Sequence, residues 1–428
     1  MSGPSPEQQS WSNVPSPFCG IASDDLRIEV AGLDVRVVDN GDTVTTPGFE
    51  LPITDTSPRI AGRPATLDAA CRRVAELLSE SRCPVFSGFG TDVDGARAAL
   101  SLIDRCGGVF DQARAEGGLR NLLVLANSGW MATTLAEVRN RVDLLVVFGS
   151  DIEGPFPRFF ERFIWVAETL FDQDAGEREI VYVGTGPSGR AAYSPDGRPP
   201  KVLECSKDEL VGVAAALAAL MNGARLQVDA IGGVPVAELQ ALVDRLRAAS
   251  YSVFTWVAGQ LDMPSAELTV QQLCQIVVRL NEQTRSAILP LGGQDGDRTA
   301  SQVCAWQTGY PTRVGFGRGF PEYDPYLFDS RRMLQAGEAD LLVWVSAFSG
   351  SAPPPASQPT VVIARSGTAL EREPDVFIPV GTPGIDHRGH MYRCDNVVAM
   401  PLLKLRESSL PSAAEVLQSI ERDLVALR

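Results

Sequence analysis

The segment ATLDAACRRVAELLSESRCPVFSGFGTDVDGARAALSLIDRCGG, residues 65–108, contains a short apolar run between two amphipathic helical patterns. Apolar residues recur at helical spacing over 65–81 and again over 92–108, where the pattern ends at two glycines. The run between them, CPVFSGF at 83–89, is largely apolar. A strand whose two faces are both covered by helices has this character, and it is typical of parallel sheets. The segment therefore predicts an α/β fold with a parallel sheet.

The same alternation continues along most of the chain, so we expect mainly parallel, doubly wound sheets. Further strands are predicted at 122–127, 142–151, 179–185, 251–259, 286–293, 339–348, 359–365 and 375–381. Further helices are predicted at 132–141, 207–222, 235–249, 265–283 and 412–427.

The start of the chain has a different pattern. Residues 26–38 alternate and contain a Gly-Leu-Asp turn, which predicts a small β-hairpin or meander, whereas 41–63 are rich in Pro, Thr and Gly and predict an irregular connector. We therefore expect an N-terminal segment at 1–63, a first α/β unit at 64–230, and a second at 231–428 that includes the C-terminal segment.

Composition excludes several classes of protein. The chain has 428 residues, of which 44% are apolar, and a net charge of −15. Nucleic-acid binding needs clustered Lys and Arg, which are absent, and an anionic membrane surface would repel the chain. There is no apolar stretch long enough for a transmembrane helix, and the first dozen residues do not resemble a signal peptide. We expect a cytoplasmic protein that binds neither nucleic acid nor a membrane.

Cysteine and histidine usage limits the metal chemistry that this chain can perform. Its eight cysteines are scattered singly with no CxxC pair, and those within helical patterns are typical of small buried side chains. The two histidines, His387 and His390, both lie in DHRGHMYRCDN at 386–396. That segment could bind a metal or transfer protons, but a polar loop whose charges pair with each other is the favoured interpretation.

Three further motifs have a structural and a functional interpretation. LGGQDGDR at 291–298 could hold a phosphate where a strand meets a helix, although a simple connection is favoured. GFGRGFPEYDP at 315–325 favours an ordered loop that packs against something over a nucleotide site. The aromatic residues of RFFERFIW at 158–165 have helical spacing, which indicates a core or interface face.

Four stretches, in this order and spacing, resemble the B-type subunit of formylmethanofuran dehydrogenase, a branch of the molybdopterin oxidoreductases. The first is SPFCGIASDD at 16–25, where the family carries C-x-x-C-G-x-x-C-D-D. The others are TLAEVRNRVDLLVVFGSDIEGPFPRFFERF at 134–163, AWQTGYPTRVGFGRGFPEYDP at 305–325 and IPVGTPGIDHRGHMYRCDNV at 378–397. The resemblance implies a molybdopterin-oxidoreductase-like α/β fold.

The chain departs from this family at both of its redox sites. Of the three cluster positions in the first stretch, only Cys19 keeps a thiol, while Ser16 and Ser23 replace the other two. Serine does not replace thiolate on a [4Fe–4S] cluster. The next cysteine, Cys71, lies in a helical pattern, and the region of the family's metal-binding cysteine has Glu116 near the ligand position. These positions are interpreted as vestigial, with no metal or redox cofactor expected in this chain.

The loss of both sites resembles the beta subunit of the formyltransferase/hydrolase complex of methylotrophic bacteria. The resemblance implies a redox-inactive scaffold in a complex that converts formyl-tetrahydromethanopterin to formate through a methanofuran-type carrier, during formaldehyde oxidation. It implies three partners: an amidohydrolase-like alpha subunit with zinc, a gamma-like subunit and a formyltransferase subunit. Because formate is an anion, we single out four side chains as candidates for lining its path, namely His387, Arg388, His390 and Arg393.

Two alternatives remain open from the sequence. One is an active molybdopterin-dependent formylmethanofuran dehydrogenase subunit that binds its metal through an unusual ligand such as Glu116. The other is an unrelated α/β enzyme that uses a nucleotide or thiamine diphosphate at the turn 291–298. Whether the chain is itself catalytic is left undecided between these hypotheses.

Overall fold

The chain folds into two compact units. The second unit is inserted within the first, so the first unit contains both the beginning and the end of the chain. The computed structural model describes residues 8–21, 23–113, 115–171 and 173–427. Unit 1 comprises Met1–Ala115 together with Gly293–Arg428, and unit 2 is the insertion Glu116–Gly292. This division differs from the predicted boundaries near 63 and 230, because strands on both sides of the insertion pair in one sheet.

Seven of the eleven helices in the described residues coincide with helices predicted from amphipathic patterns. In chain order the eleven are α1 Thr45–Phe49, α2 Leu67–Glu80, α3 Val93–Cys106, α4 Ala115–Ser128, α5 Leu135–Arg141, α6 Leu210–Met221, α7 Val236–Ala248, α8 Ala266–Leu280, α9 Asp297–Thr308, α10 Ser330–Gln335 and α11 Ala413–Leu427.

The strands are mostly short. In chain order they are β1 Gln8–Val14, β2 Leu26–Ala31, β3 Asp34–Asp39, β4 Arg59–Ile60, β5 Arg63–Pro64, β6 Pro84–Gly90, β7 Val109–Phe110, β8 Leu144–Phe148, β9 Glu179–Val183, β10 Lys201–Leu203, β11 Ala230–Ile231, β12 Val234–Pro235, β13 Tyr251–Val257, β14 Arg285–Leu291, β15 Val314–Gly315, β16 Glu322–Tyr323, β17 Leu341–Ser346, β18 Thr360–Arg365, β19 Val376–Val380, β20 Gly389–Tyr392 and β21 Ala399–Leu402.

The main sheet of unit 1 has the strand order β16-β15-β7-β6-β17-β18-β19-β4-β5. Its central strands β7, β6, β17, β18 and β19 run parallel, and the outer pairs are antiparallel. The chain moves from β6 outward to β7 and later returns to the other side of β6 with β17. This reversal lies at the carboxyl ends of β6 and β17, the edge at which ligands bind in open α/β sheets generally.

The sheet of unit 2 has the order β10-β9-β8-β13-β14, with every neighbouring pair parallel. The corresponding reversal occurs between β8 and β13. A small antiparallel sheet, β1-β2-β3, contains the predicted hairpin and completes unit 1 together with the hairpin β20-β21.

Capping residues determine where helices α2 and α3 of unit 1 begin and where α3 ends. The Thr66 hydroxyl accepts a 3.2 Å hydrogen bond from the Ala69 amide at the start of α2. Asp92 caps α3 in the same way through the amide of Gly95, and Gly107 ends that helix at φ 71°. The core of unit 1 then forms where α2, α3, α9 and α11 pack over the central strands.

The predicted fold class is confirmed: the chain has mainly parallel sheets in two α/β units and a small N-terminal β element. The strand predicted at 122–127 is wrong, because these residues lie in α4. RFFERFIW forms a short π-helix at Phe160–Ile164, whose buried Phe160 and Phe163 both pack against Phe159, as expected of a core face. Among the described residues, no helix combines the length and the hydropathy needed to cross a membrane.

Candidate functional site

The loop between β1 and β2 carries the three positions that correspond to cluster ligands, and it folds back on itself. The Ser16 amide donates a 2.8 Å hydrogen bond to the Ser23 carbonyl, which closes the loop. The Ser16 hydroxyl lies 3.0 Å from that of Thr45 and accepts from the Phe18 amide at 3.2 Å. This hydroxyl is therefore fully used in local structure.

Cys19 and Ser23 are partners of each other. The Cys19 thiol donates to the Ser23 hydroxyl at 3.5 Å, and the Ser23 amide donates to the Cys19 sulfur at 3.4 Å. Both side chains are buried, as is Ser16. A [4Fe–4S] cluster requires four thiolate ligands, so these residues do not fit a cluster. They instead form a closed hydrogen-bonded turn.

A second thiol lies beside this loop, and no spacing in the sequence pointed to it. The Cys394 amide donates a 2.8 Å hydrogen bond to the Gly20 carbonyl, and Cys394 is buried. Burial raises the pKa of the Cys394 thiol to about 12. Cys71, the next cysteine after Cys19 in sequence, lies instead on α2, where its thiol hydrogen-bonds Ser419 of α11.

The glycine-rich turn LGGQDGDR contacts both the loop and Cys394. A Cβ atom at Gly293 would lie 3.2 Å from the Cys394 Cβ and 3.3 Å from the Gly20 Cα, and Gly293 has φ 88°. A Cβ at Gly296, φ 70°, would lie 2.7 Å from the Thr91 carbonyl oxygen. Close packing of backbone segments thus accounts for these glycines, as the connecting-turn interpretation predicted.

Aromatic side chains fill the space under the loop. Phe18 packs edge-on against Phe49, with ring centroids 5.2 Å apart, and against Phe348 at 6.5 Å. Arg365 joins the same segments, because its guanidinium donates to the carbonyl oxygens of Phe348 at 2.7 Å and Gly48 at 3.2 Å. Burial lowers the pKa of Arg365 to about 10. The region is a packed core joined by a buried cation.

Charged groups are also buried at the carboxyl edge of the unit 1 sheet. Asp386 forms an ion pair with Arg406, with 2.7 Å between Oδ1 and Nε, and both side chains are buried. Asp92 is buried after β6, and burial raises the pKa of its carboxyl, while His387 lowers it. The backbone of Gly389 lies against this carboxylate, since a Cβ there would be 2.4 Å from Asp92 Oδ2.

The four candidate residues for an anion path have unequal surroundings. His387 is partly buried and donates from Nδ1 to the Arg388 carbonyl at 2.8 Å. Arg388 and His390 are exposed. The Arg393 guanidinium forms a two-bond ion pair with Asp395 at 2.9 and 2.6 Å. Of the four side chains, Arg393 is therefore already paired with a carboxylate. That these four residues line a path for formate stays a prediction.

Two carboxylates follow β8 at the reversal point of the unit 2 sheet and accept from nearby backbone amides. Asp151 accepts from the amides of Glu153 and Gly154 at 3.1 and 3.2 Å, and Glu153 accepts from the Ala192 amide at 2.9 Å. A pyrophosphate binds such amides, and the two carboxylates would repel it. At this point the Asp151 and Glu153 carboxylates therefore occupy three backbone amides that an anion would otherwise bind.

Glu116, the predicted vestigial ligand position, lies in the first turn of α4 and is exposed. Across the described ranges, no group of three or more His, Cys, Asp or Glu side chains has the geometry to hold a metal ion.

Comparisons with known proteins agree with the family resemblance. The B-type subunit of the formyltransferase/hydrolase complex of Methylorubrum extorquens is 33% identical over 333 residues, which cover 76% of this chain and 85% of the relative. The B-type subunit of the tungsten-containing formylmethanofuran dehydrogenase 2 of Methanocaldococcus jannaschii is 27% identical over 405 residues, covering 90% and 91%. No family model matches the sequence.

Two solved structures share the fold. A chain of the Methylorubrum extorquens formyltransferase/hydrolase complex, crystallised with methylofuran, superposes with a TM-score of 0.74 and 29% identity, covering 87% of this chain and 99% of that chain. Acetylene hydratase from Pelobacter acetylenicus superposes with a TM-score of 0.57 at 8% identity, covering 96% and 70%. The second similarity concerns the fold alone.

Proposed function

Because the chain belongs to the family that contains the B-type subunits of formylmethanofuran dehydrogenase and of the formyltransferase/hydrolase complex, we propose that it is a redox-inactive scaffold subunit of a formyltransferase/hydrolase complex. In this role it holds other subunits in place and performs no electron transfer. Family membership removes the alternative of an unrelated nucleotide- or thiamine-diphosphate-dependent enzyme.

The closed hydrogen-bonded turn at the former cluster positions is the observation that carries this proposal. Ser16 bonds to Thr45, and Cys19 and Ser23 bond to each other, so one thiol remains where the family motif has three. Electron transfer to a buried metal site needs the cluster that these ligands hold. The carboxylates at the unit 2 reversal point support the same proposal, because they disfavour an anionic cofactor.

A hydrolytic reaction gives a chemical reason for these losses. In the proposed complex, a formyl group passes from formyl-tetrahydromethanopterin to a methanofuran-type carrier and is then released as formate by water. Neither transfer nor hydrolysis changes the oxidation state of the formyl carbon, so no electrons need to leave the site. The chemistry then belongs to an amidohydrolase-like alpha subunit with zinc and a formyltransferase subunit, with a gamma-like subunit completing the assembly.

Metal analysis of the assembled complex tests this proposal. The complex is purified through a tag on this chain, and its metals and subunits are quantified together by mass spectrometry. We expect the partner subunits in fixed proportion, with zinc and no stoichiometric molybdenum, tungsten or iron. One tungsten or molybdenum per copy of this chain, or about four irons per copy, would instead identify an active dehydrogenase subunit.

A further inference from the structure

Two carboxylates and a phenol lie together at the carboxyl ends of β8 and β9 in unit 2. Asp151 and Glu153 follow β8, and Tyr182 is the fourth residue of β9. Glu153 and Tyr182 are buried, while Asp151 is half-buried. Burial raises the pKa of the Tyr182 phenol, and the Glu153 and Asp151 carboxylates raise it further. The phenol hydroxyl is therefore close enough to both carboxylates to interact with their charge.

The Tyr182 hydroxyl is a buried polar group without a partner. The side chain is 0% exposed, and its hydroxyl forms no hydrogen bond within the part of the chain that the structure describes. Neither Asp151 nor Glu153 therefore reaches it by a direct hydrogen bond. Buried polar groups in native proteins are nearly always hydrogen-bonded or bound to an ion. This hydroxyl thus needs a ligand that fits between it and the two carboxylates.

The two carboxylates also lack a cation. None of the ion pairs that the described residues of unit 2 form includes Asp151 or Glu153. Glu153 accepts from the neutral amide of Ala192, at 2.9 Å. A buried carboxylate is costly unless a positive charge compensates it. The ligand that satisfies this cluster is therefore a cation, and a chain with a net charge of −15 attracts cations in general.

Neighbouring segments hold the carboxylates in place. Gln260, just after β13, accepts from the Asp151 amide at 2.8 Å and donates to the Asp151 carbonyl at 2.9 Å. A Cβ atom at Gly189 would overlap Oε2 of Glu153, so glycine lets this carboxylate approach the backbone. A site that is fixed before binding loses little conformational entropy when its ligand arrives.

The donor atoms select the class of cation. All three side chains offer oxygen, which hard cations such as Ca²⁺ and Mg²⁺ prefer. Mg²⁺ demands nearly ideal octahedral geometry, whereas Ca²⁺ accepts six to eight oxygens in a flexible arrangement. Oxygens from a loop and from a neighbouring strand, some of which already accept from backbone amides, suit Ca²⁺ better.

We propose that Asp151, Glu153 and Tyr182 bind a hard divalent cation, Ca²⁺ in preference to Mg²⁺, which joins the loop after β8 to β9. The ion neutralises a buried charge and takes no part in electron transfer, so the inference does not depend on the proposed function. It revises the expectation of no metal in this chain and leaves that of no redox cofactor unchanged. Because only two carboxylates contribute, we expect dissociation constants of about 0.1–1 mM.

The test uses the full-length chain, freed of metals with a chelator and then dialysed. Ca²⁺ and Mg²⁺ are titrated separately by calorimetry at constant ionic strength. The variant Glu153→Gln keeps an oxygen for the Ala192 amide and removes the charge, so we expect it to bind Ca²⁺ at least tenfold more weakly. The matched control is Asp208→Asn, which removes an exposed carboxylate of the same unit and should bind like the unmodified chain.

Thermal unfolding separates a binding role from a merely structural one. Without cations, Glu153→Gln should unfold at a higher temperature than the unmodified chain, because it no longer buries an uncompensated charge. Ca²⁺ should raise the midpoint of the unmodified chain and not that of the variant. Tyr182→Phe keeps the ring and removes the hydroxyl, so we expect at least threefold weaker binding of Ca²⁺.

Hydrogen–deuterium exchange needs no variant. Addition of Ca²⁺ to the unmodified chain should slow exchange over residues 150–156 and 186–193 and leave exchange in unit 1 unchanged. The inference is overturned if the unmodified chain binds neither cation, if Glu153→Gln binds as tightly as Asp208→Asn, or if exchange over these residues does not change. In each case the proposed function stands, because it does not require the ion.

Discussion

The amide of Cys394 donates a 2.8 Å hydrogen bond to the carbonyl of Gly20, and this bond joins two loops from opposite ends of the chain. Gly293 lies against both residues, at the point where the chain returns from unit 2. Three distant segments therefore meet where the family motif would hold a cluster. This meeting point is part of the packed structure of unit 1, and its stability can be probed residue by residue.

Cys394 should be unreactive in the native protein. Burial raises the pKa of the Cys394 and Cys304 thiols to about 12. At about pH 8 roughly one molecule in 10,000 would then carry the thiolate that reacts with iodoacetamide. We expect mass spectrometry to find both unmodified under native conditions and alkylated in denaturant. The half-buried Cys106 is the internal control, and early modification of Cys394 would contradict its burial.

Removing one partner of the buried ion pair between Asp386 and Arg406 should destabilise the fold, because the other charge would be left buried and unpaired. Asp386→Ala leaves the Arg406 guanidinium buried without its carboxylate, so we expect a loss of about 3–5 kcal/mol in the free energy of unfolding. The double variant Asp386→Leu with Arg406→Met should regain much of that loss, because no uncompensated charge remains.

Urea titration of both variants measures this difference. The matched control is Lys201→Ala, which removes one partner of the exposed pair with Glu238 and should cost less than about 1 kcal/mol. If Asp386→Ala and Lys201→Ala lowered the free energy of unfolding equally, burial of the ion pair would not determine how much stability its loss removes.

Gly389 should tolerate no side chain, because its backbone lies against Asp92. An alanine Cβ there would be 2.4 Å from Oδ2 and 3.1 Å from the Cβ of Asp92, which is held in place as the cap of α3. We expect Gly389→Ala to lower the free energy of unfolding by about 1–3 kcal/mol.

Gly118→Ala in α4 is the matched control, since no atom lies within 4 Å of its would-be Cβ. Alanine favours helix over glycine, so we expect this variant to gain about 0.5–1 kcal/mol. If both variants lowered the free energy of unfolding, the effect of Gly389→Ala could not be assigned to the contact with Asp92.

Asp92 should make the stability of unit 1 depend on pH. Burial is the largest influence and raises the pKa of its carboxyl above 3.8, although the Gly95 amide and His387 lower it in part. A raised pKa in the folded state favours the protonated form, so its contribution to stability is complete below 3.8 and is lost as the pH rises through the folded pKa.

The variant Asp92→Asn removes this titration and keeps an N-cap side chain. We expect the thermal midpoint of the variant, relative to that of the unmodified chain, to rise as the pH increases above 3.8. An unchanged difference between the two proteins over that range would mean that Asp92 does not titrate there.

Periodicity in the sequence identified every strand of five or more residues in the two large sheets and seven of the eleven helices of the described residues. It failed where tertiary contacts decide. Residues 122–127, LLVLAN, have the composition of a buried strand, yet they belong to α4. In that helix Val124 is buried while Leu123 and Leu125 are exposed. An apolar run of this length satisfies both periodicities, so local pattern alone could not separate them.

The candidate site was predictable only in part, for a related reason. The sequence shows Ser16 and Ser23 where the family motif that it resembles carries cysteines. The approach of Cys394 to Gly20, and of Asp92 to Gly389, is not visible in the sequence, because no local pattern specifies contacts between segments so far apart.

The sequence by itself determined that this chain is an acidic α/β protein whose cluster motif keeps one thiol of three. It determined these features because hydrophobic periodicity and ligand identity are local properties. Tertiary structure alone decided what packs around the loop that carries this motif, namely the Phe18, Phe49 and Phe348 rings, the Arg365 guanidinium and the Cys394 loop. The physical reason is that packing and burial depend on which distant segments the folded sheets bring together.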